Sequence, residues 1–168
     1  MLTTKATEID HHTIKLIVGV IALTLASLTS FFAGSDIQSI SASYHEGGWA
    51  RDIFVGFLFA IAAFLLAYNG RSPVEWLLGK FAAFAALGTA LFPCSCGAHA
   101  EVIPYVHGVS ATFMFITLAL FCYLVFQRAR CKGHLQARLR ERIYACCGCA
   151  IVAGIAVIAA VQVVGGLL

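Results

Sequence analysis

The feature that most constrains this chain is a fivefold alternation of long apolar runs and short polar connectors. Apolar runs of about 20 residues match the hydrocarbon thickness of a bilayer when they form helices. Only 11% of the residues are charged, whereas soluble domains carry about 25%. Because so few charges cannot cover a water-soluble surface, we predict an all-α integral membrane bundle made by a single domain over residues 1–168.

The apolar runs predict five transmembrane helices. Their approximate positions are 13–34, 51–68, 74–92, 105–127 and 143–168. The first run is long enough for a full bilayer crossing, unlike the short apolar core of a cleavable signal peptide, so we interpret it as a retained helix. The third run is rich in alanine and glycine, which favours close helix–helix contact in lipid.

Basic residues predict the orientation of the chain in the membrane. The segment 128–142 carries Arg128, Arg130, Lys132, Arg138, Arg140 and Arg142. Short basic segments stay in the cytoplasm, so the N-terminus is predicted to be cytoplasmic and the connectors after the first and third helices to face outward. We predict a multi-pass protein of the bacterial inner membrane. Its expected partners are membrane lipids and either a second copy or another membrane protein, and nucleic acid is not expected.

The two outward connectors collect ionisable side chains that point to a metal centre. Histidine and carboxylate are ligands that zinc uses in proteins, and a catalytic zinc keeps one position for water. We therefore expect His45, His99 and His107 to hold zinc, with Asp52 orienting or activating the water. The corresponding function is zinc-dependent hydrolysis by the activated water.

A second interpretation of the same connectors needs no metal. Asp52 lies near the start of the second predicted helix, where the helix dipole favours a carboxylate, and its neighbour Arg51 can pair with it. The protein is then a non-enzymatic membrane protein that binds a ligand or partner. In either case the outward polar pocket is expected to include Tyr44, Glu46, Arg51 and Glu101.

The motif Cys94-Ser95-Cys96 lies in the second outward connector and has three interpretations. The two cysteines can ligate a soft metal together with His99, because thiolate and imidazole suit such ions. They can form a disulfide, since the outside of the inner membrane is oxidising. They can also remain free thiols. The sequence does not separate these alternatives.

Several short motifs resemble a family of small bacterial inner-membrane proteins that has no assigned activity. The resemblance covers most of the chain from Ser39. It rests on Ser39-Ile40-Ser41, Tyr44-His45, Arg51-Asp52-Ile53-Phe54-Val55-Gly56, Ala67-Tyr68-Asn69-Gly70, Ala90-Leu91-Phe92-Pro93, His107-Gly108-Val109-Ser110-Ala111 and Arg142-Ile143-Tyr144. It implies a polytopic inner-membrane protein, and members of that family often continue into one more apolar helix.

A further pattern is similar to the alkaline ceramidase and adiponectin-receptor superfamily of membrane hydrolases. Ser41-x-x-x-His45 followed by Asp52 resembles the first element of its zinc site, which uses a serine, an aspartate and three histidines. The resemblance implies catalytic roles for Ser41 and Asp52 and zinc-dependent hydrolysis of a lipid amide or ester. The second element of that site, two histidines four residues apart, is missing because Ala111 follows His107 at that spacing. His99 and His107 would have to replace it. Members of that superfamily are expected to have seven transmembrane helices, whereas five are predicted here.

Overall fold

The computed structural model describes residues 11–34, 39–70, 72–96, 103, 105–131 and 135–165, and the described residues form helices without a strand. A 3₁₀ turn at Ile40–Ala42 precedes the second α-helix. The α-helices are α1 (His11–Phe32), α2 (Ser43–Glu46), α3 (Gly48–Ala67), α4 (Pro73–Leu91), α5 (Val106–Arg130) and α6 (Leu135–Gly165).

Four of the described helices are long and apolar enough to cross a membrane. They are α3, α4, α5 and the part of α6 that spans Leu135–Val161. The described apolar part of α1, Leu16–Phe32, is shorter than these. The predicted all-α class is therefore confirmed, and four of the five predicted crossings are helices of sufficient length and hydropathy, while the fifth crossing, by α1, stays a prediction.

Two helix boundaries differ from those expected from hydropathy. Helix α3 begins at Gly48, three residues before the expected start at residue 51, so Arg51 ends its first turn and Asp52 follows in the second. Helix α6 begins at Leu135 and therefore includes much of the basic segment that was predicted to be a loop. Arginine, glutamate and leucine are good helix formers, so α6 already begins in the basic segment, before the apolar run starts.

Each long helix packs mainly against its neighbour along the chain. The main contacts join α1 to α3, α3 to α4, α4 to α5, and α5 to α6. The best-buried helix is α4, because α3 and α5 cover two of its sides. Its alanines allow this close approach, as the small residues of the third apolar run predicted. The buried core consists of Phe54, Leu58, Ala62, Ala85, Ala86, Ala90 and Met114.

The helix connections divide the molecule into two ends. We name the end with the connectors 39–47 and 92–96 the histidine end, since His45 and His107 lie there. We name the opposite end, where α3 turns into α4 and α5 approaches α6, the arginine end. Arg128 and Arg130 close α5 there, and Arg138 and Arg140 open α6. The two outward connectors of the sequence prediction thus share one end.

Candidate functional site

The first half of the histidine end is a short, hydrogen-bonded turn that carries His45. The Ser39 hydroxyl accepts a hydrogen bond from the Ala42 amide at 3.2 Å, and the Ser43 hydroxyl donates to the Ile40 carbonyl at 2.6 Å. Serine is favoured at such helix starts because its oxygen satisfies an amide that has no helical partner. Gly47, with φ of +72°, then lets the chain turn from α2 into α3. His45 is therefore held on a defined backbone.

The second half of the histidine end is the segment that leaves α4. The Phe92 amide donates to the Gly88 carbonyl at 3.1 Å and ends the helix. Cys94 and Cys96 form a disulfide whose Cα atoms are 5.4 Å apart, a usual separation for such a bond. Of the three alternatives that the motif left open, the structure has the disulfide. Cys94 itself is buried.

Two histidines from different helices bind the backbone of this second segment. His45 Nε2 lies 2.7 Å from the Cys94 carbonyl oxygen, and His107 Nδ1 lies 2.7 Å from the Phe92 carbonyl oxygen. A carbonyl oxygen can only accept, so each of these ring nitrogens carries the proton and donates. The two carbonyls are two residues apart. Helices α2 and α5 are thereby both fastened to one stretch of backbone.

Further contacts close the histidine end. The Ser39 hydroxyl lies 4.0 Å from the Cys96 sulfur, so it joins the first connector to the disulfide. The Tyr44 ring stands edge-on to the His45 ring, with centroids 5.9 Å apart. His107 is only 6% exposed, so its hydrogen bond is shielded from water. We use the term histidine cap for Ser39, His45, Phe92, the Cys94–Cys96 disulfide and His107.

The residues predicted to be catalytic do not join the cap through any described bond. Asp52 accepts a hydrogen bond from the Arg51 side chain at 3.2 Å, and both side chains are largely exposed at the start of α3. Ser41 lies within the 3₁₀ turn and is partly buried. Glu46 is the last residue of α2 and is exposed. The Arg51–Asp52 pair corresponds to the arrangement expected for the metal-free alternative.

The donors of the described chain do not form a zinc site of the predicted kind. Within residues 16–34, 39–70, 72–96, 105–131 and 135–161, no three His, Cys, Asp or Glu side chains converge closely enough to hold a metal ion. The predicted ligand His99 and the pocket residue Glu101 lie outside the described residues. His45 and His107 do share one end of the molecule, and their protonated nitrogens face carbonyls rather than each other.

An ion pair at the arginine end was not anticipated from the sequence. The Glu75 carboxylate pairs with the Arg128 guanidinium, which joins the start of α4 to the end of α5. Glu75 is fully buried. The Ser72 hydroxyl accepts a hydrogen bond from the Glu75 amide at 3.3 Å and so caps α4. An acidic residue inside an apolar run is the signal that would have identified it, because such residues are rare in membrane helices.

Comparison with known proteins found no matching protein-family model, curated protein or solved structure. Conclusions about function therefore depend on the geometry of the histidine cap and of the arginine end.

Proposed function

We propose that this chain is a non-enzymatic integral membrane protein of the bacterial inner membrane, which binds a ligand or partner and uses the histidine cap as a rigid outer surface. The observation that carries the proposal is that His45 and His107 both donate to backbone carbonyls of one connector. Hydrogen bonds from a buried His107 and a half-buried His45 define a single conformation of the connector. Cys94 and Cys96 are bonded to each other, and Arg51 pairs with Asp52, so these side chains also serve structural contacts.

The proposed orientation places the histidine cap outside and the arginine end in the cytoplasm. Arginines concentrate at one end, as the positive-inside rule requires of a cytoplasmic end. The disulfide lies at the opposite end, in agreement with an oxidising compartment. Helix α1 runs from the arginine end to the histidine end, so the N-terminus would be cytoplasmic.

Thiol labelling of intact cells tests this orientation. After reduction, a membrane-impermeant maleimide is expected to label Cys96, which is partly exposed at the histidine end. Cys131 is exposed at the arginine end and provides the matched control, because it should be labelled only after the membrane is permeabilised. Variants that retain only one of these cysteines separate the two signals. Labelling of Cys131 in intact cells would contradict the orientation.

Conservative replacements of the two histidines test whether they act as structural donors. The Asn side-chain amide can place a donor near the position of His Nδ1, and that of Gln can place one near Nε2. We therefore expect His107→Asn and His45→Gln to keep thermal stability in detergent close to that of the wild type. His107→Ala leaves the Phe92 carbonyl without this donor, and we expect it to lose about 1–3 kcal/mol of unfolding free energy. Equal losses in His107→Asn and His107→Ala would contradict a donor role.

Zinc-dependent lipid hydrolysis is a second candidate, and the orientation of the imidazoles favours it. Histidines that bind a metal commonly donate their other ring N–H to a backbone carbonyl, as His45 and His107 do. In the neutral ring the remaining nitrogen carries a lone pair. The described donors do not supply a third ligand, so this candidate requires His99, and Asp52 and Ser41 would have to approach the metal.

Metal analysis separates the two candidates. The structural proposal predicts that purified protein contains far less than one zinc per chain, both as wild type and as His107→Asn. The hydrolase predicts about one zinc per wild-type chain and its loss in His107→Asn, which keeps the fold but removes Nε2. Hydrolysis of a ceramide-type amide by the wild type, lost in the same variant, would establish the hydrolase and overturn the structural proposal.

A further inference from the structure

A cleft lies among α3, α5 and α6 in the half of the membrane-spanning region next to the arginine end. Its volume is about 220 Å³. The lining residues are Phe64, Leu65, Tyr68, Leu118, Phe121 and Tyr144. The order of helix packing explains the cleft. Because α3 packs on α4 and α6 packs on α5, a gap remains between α3 and α6, and α5 forms its floor. The volume is below the roughly 300 Å³ typical of small-molecule sites, so the cleft suits one part of a flexible ligand.

The walls of the cleft are apolar and well packed. Tyr68 stands between Phe64 and Phe121, with ring centroids 6.2 Å and 5.7 Å away. Tilted and edge-on aromatic pairs of this kind attract each other beyond the area that they bury, which favours this arrangement of the wall. The lining contains two tyrosines and otherwise only Phe and Leu. Such a surface fits a hydrocarbon chain, with the tyrosines toward the membrane–water boundary.

Positive charge lies at the end of the cleft where Tyr144 stands. Arg140 is four residues before Tyr144 on α6, about 6 Å along the helix, and its charge acts on the Tyr144 side chain, as does that of Glu75, which Arg128 compensates. Residues four apart share one face of a helix, so Arg140 lies on the Tyr144 face. In the part of the chain that the structure describes, Arg140 forms no ion pair, whereas Arg128 pairs with Glu75.

From these contacts we propose that the cleft is a site for an anionic phospholipid. One acyl chain would lie against the aromatic wall, and the phosphate of the headgroup would bind Arg140. Basic side chains between membrane helices on one side of the bilayer recognise acidic headgroups in this manner. The inference goes beyond the proposed role of the histidine cap and does not depend on it, because the two features lie at opposite ends of the helices.

Native mass spectrometry of the full chain tests the site with two probes, phosphatidylglycerol and phosphatidylcholine of the same acyl composition. We expect one phosphatidylglycerol to be retained under conditions that remove phosphatidylcholine. Arg140→Gln should weaken phosphatidylglycerol retention about fivefold, as expected for one cation near a headgroup. Leu118→Trp fills the cleft with a larger side chain and should lower retention of phosphatidylglycerol without a change in charge.

Arg142→Gln is the matched control, since it removes the same charge from the same helix two residues farther on, on another face. It should change retention less than twofold. Equal retention of the two lipids would overturn recognition of the acidic headgroup. Equal losses in Arg140→Gln and Arg142→Gln would overturn the site and leave only a general attraction of the basic surface for anionic lipid. Circular dichroism identifies variants that have lost their helices. If Leu118→Trp is among them, Leu118→Phe provides the cleft-filling test, and unchanged retention in a folded Leu118→Phe protein would overturn the acyl-chain assignment.

Discussion

Replacing Arg128 by methionine is expected to lower the free energy of unfolding by about 3–5 kcal/mol, because the Glu75 carboxylate loses the arginine that compensates its burial. Glu75 is 0% exposed, and this ion pair joins α4 to α5 next to the arginine end. Methionine keeps an unbranched apolar stem like that of arginine but lacks the guanidinium, so the change removes the charge and its donors while leaving the stem contacts. The measurement is reversible denaturation of the detergent-solubilised protein by sodium dodecyl sulfate.

Arg130→Met is the control variant, because it removes a positive charge that has no buried partner among the described residues. Arg130 is exposed and lies two residues farther along the same helix, so its loss should cost less than about 0.5 kcal/mol. The double variant Glu75→Gln/Arg128→Met removes both charges and should recover much of the stability lost in Arg128→Met. If Arg128→Met and Arg130→Met were equally stable, the pairing of Arg128 with the buried Glu75 would contribute no measurable stability.

Gly70→Ala is expected to be the second severe change, with a loss of about 3 kcal/mol or more. Gly70 has φ of +63°, in the left-handed region that side chains disfavour. A Cβ there would lie 2.8 Å from the Trp76 amide nitrogen and 2.9 Å from the Glu75 Cβ. Because a backbone nitrogen at the start of α4 cannot move aside alone, the turn that positions Glu75 must shift.

Gly47→Ala separates the two causes of this loss. Gly47 has φ of +72°, but a Cβ there would meet no atom within 4 Å. It therefore carries a conformational cost without the collision, about 1–3 kcal/mol, because φ of +72° with ψ of −164° lies in a region adopted almost only by glycine. Thermal denaturation of both variants in the same detergent gives the comparison. A loss in Gly70→Ala no greater than in Gly47→Ala would show that contact with α4 is unimportant.

Hydropathy predicted the helices well because bilayer-length apolar runs have few alternatives to helical structure. The histidines are a different case. Their residue type suggested metal ligation, but their partners are carbonyls 49 residues away along the chain for His45 and 15 residues away for His107. Such pairs depend on how α2 and α5 approach the end of α4. The Cys94–Cys96 disulfide was one of three interpretations, since local spacing permits a ligand pair, a bond or two thiols.

The amino-acid sequence by itself determined that this chain is helical, with runs long and apolar enough to cross a membrane, because backbone groups in such runs are satisfied within a helix. It also determined where positive charge concentrates. The tertiary structure alone decided that Glu75 is buried against Arg128, that His45 and His107 bind one connector, and that a cleft opens between α3 and α6. Each of these depends on distances between helices, and hydropathy along a single chain contains no such distances.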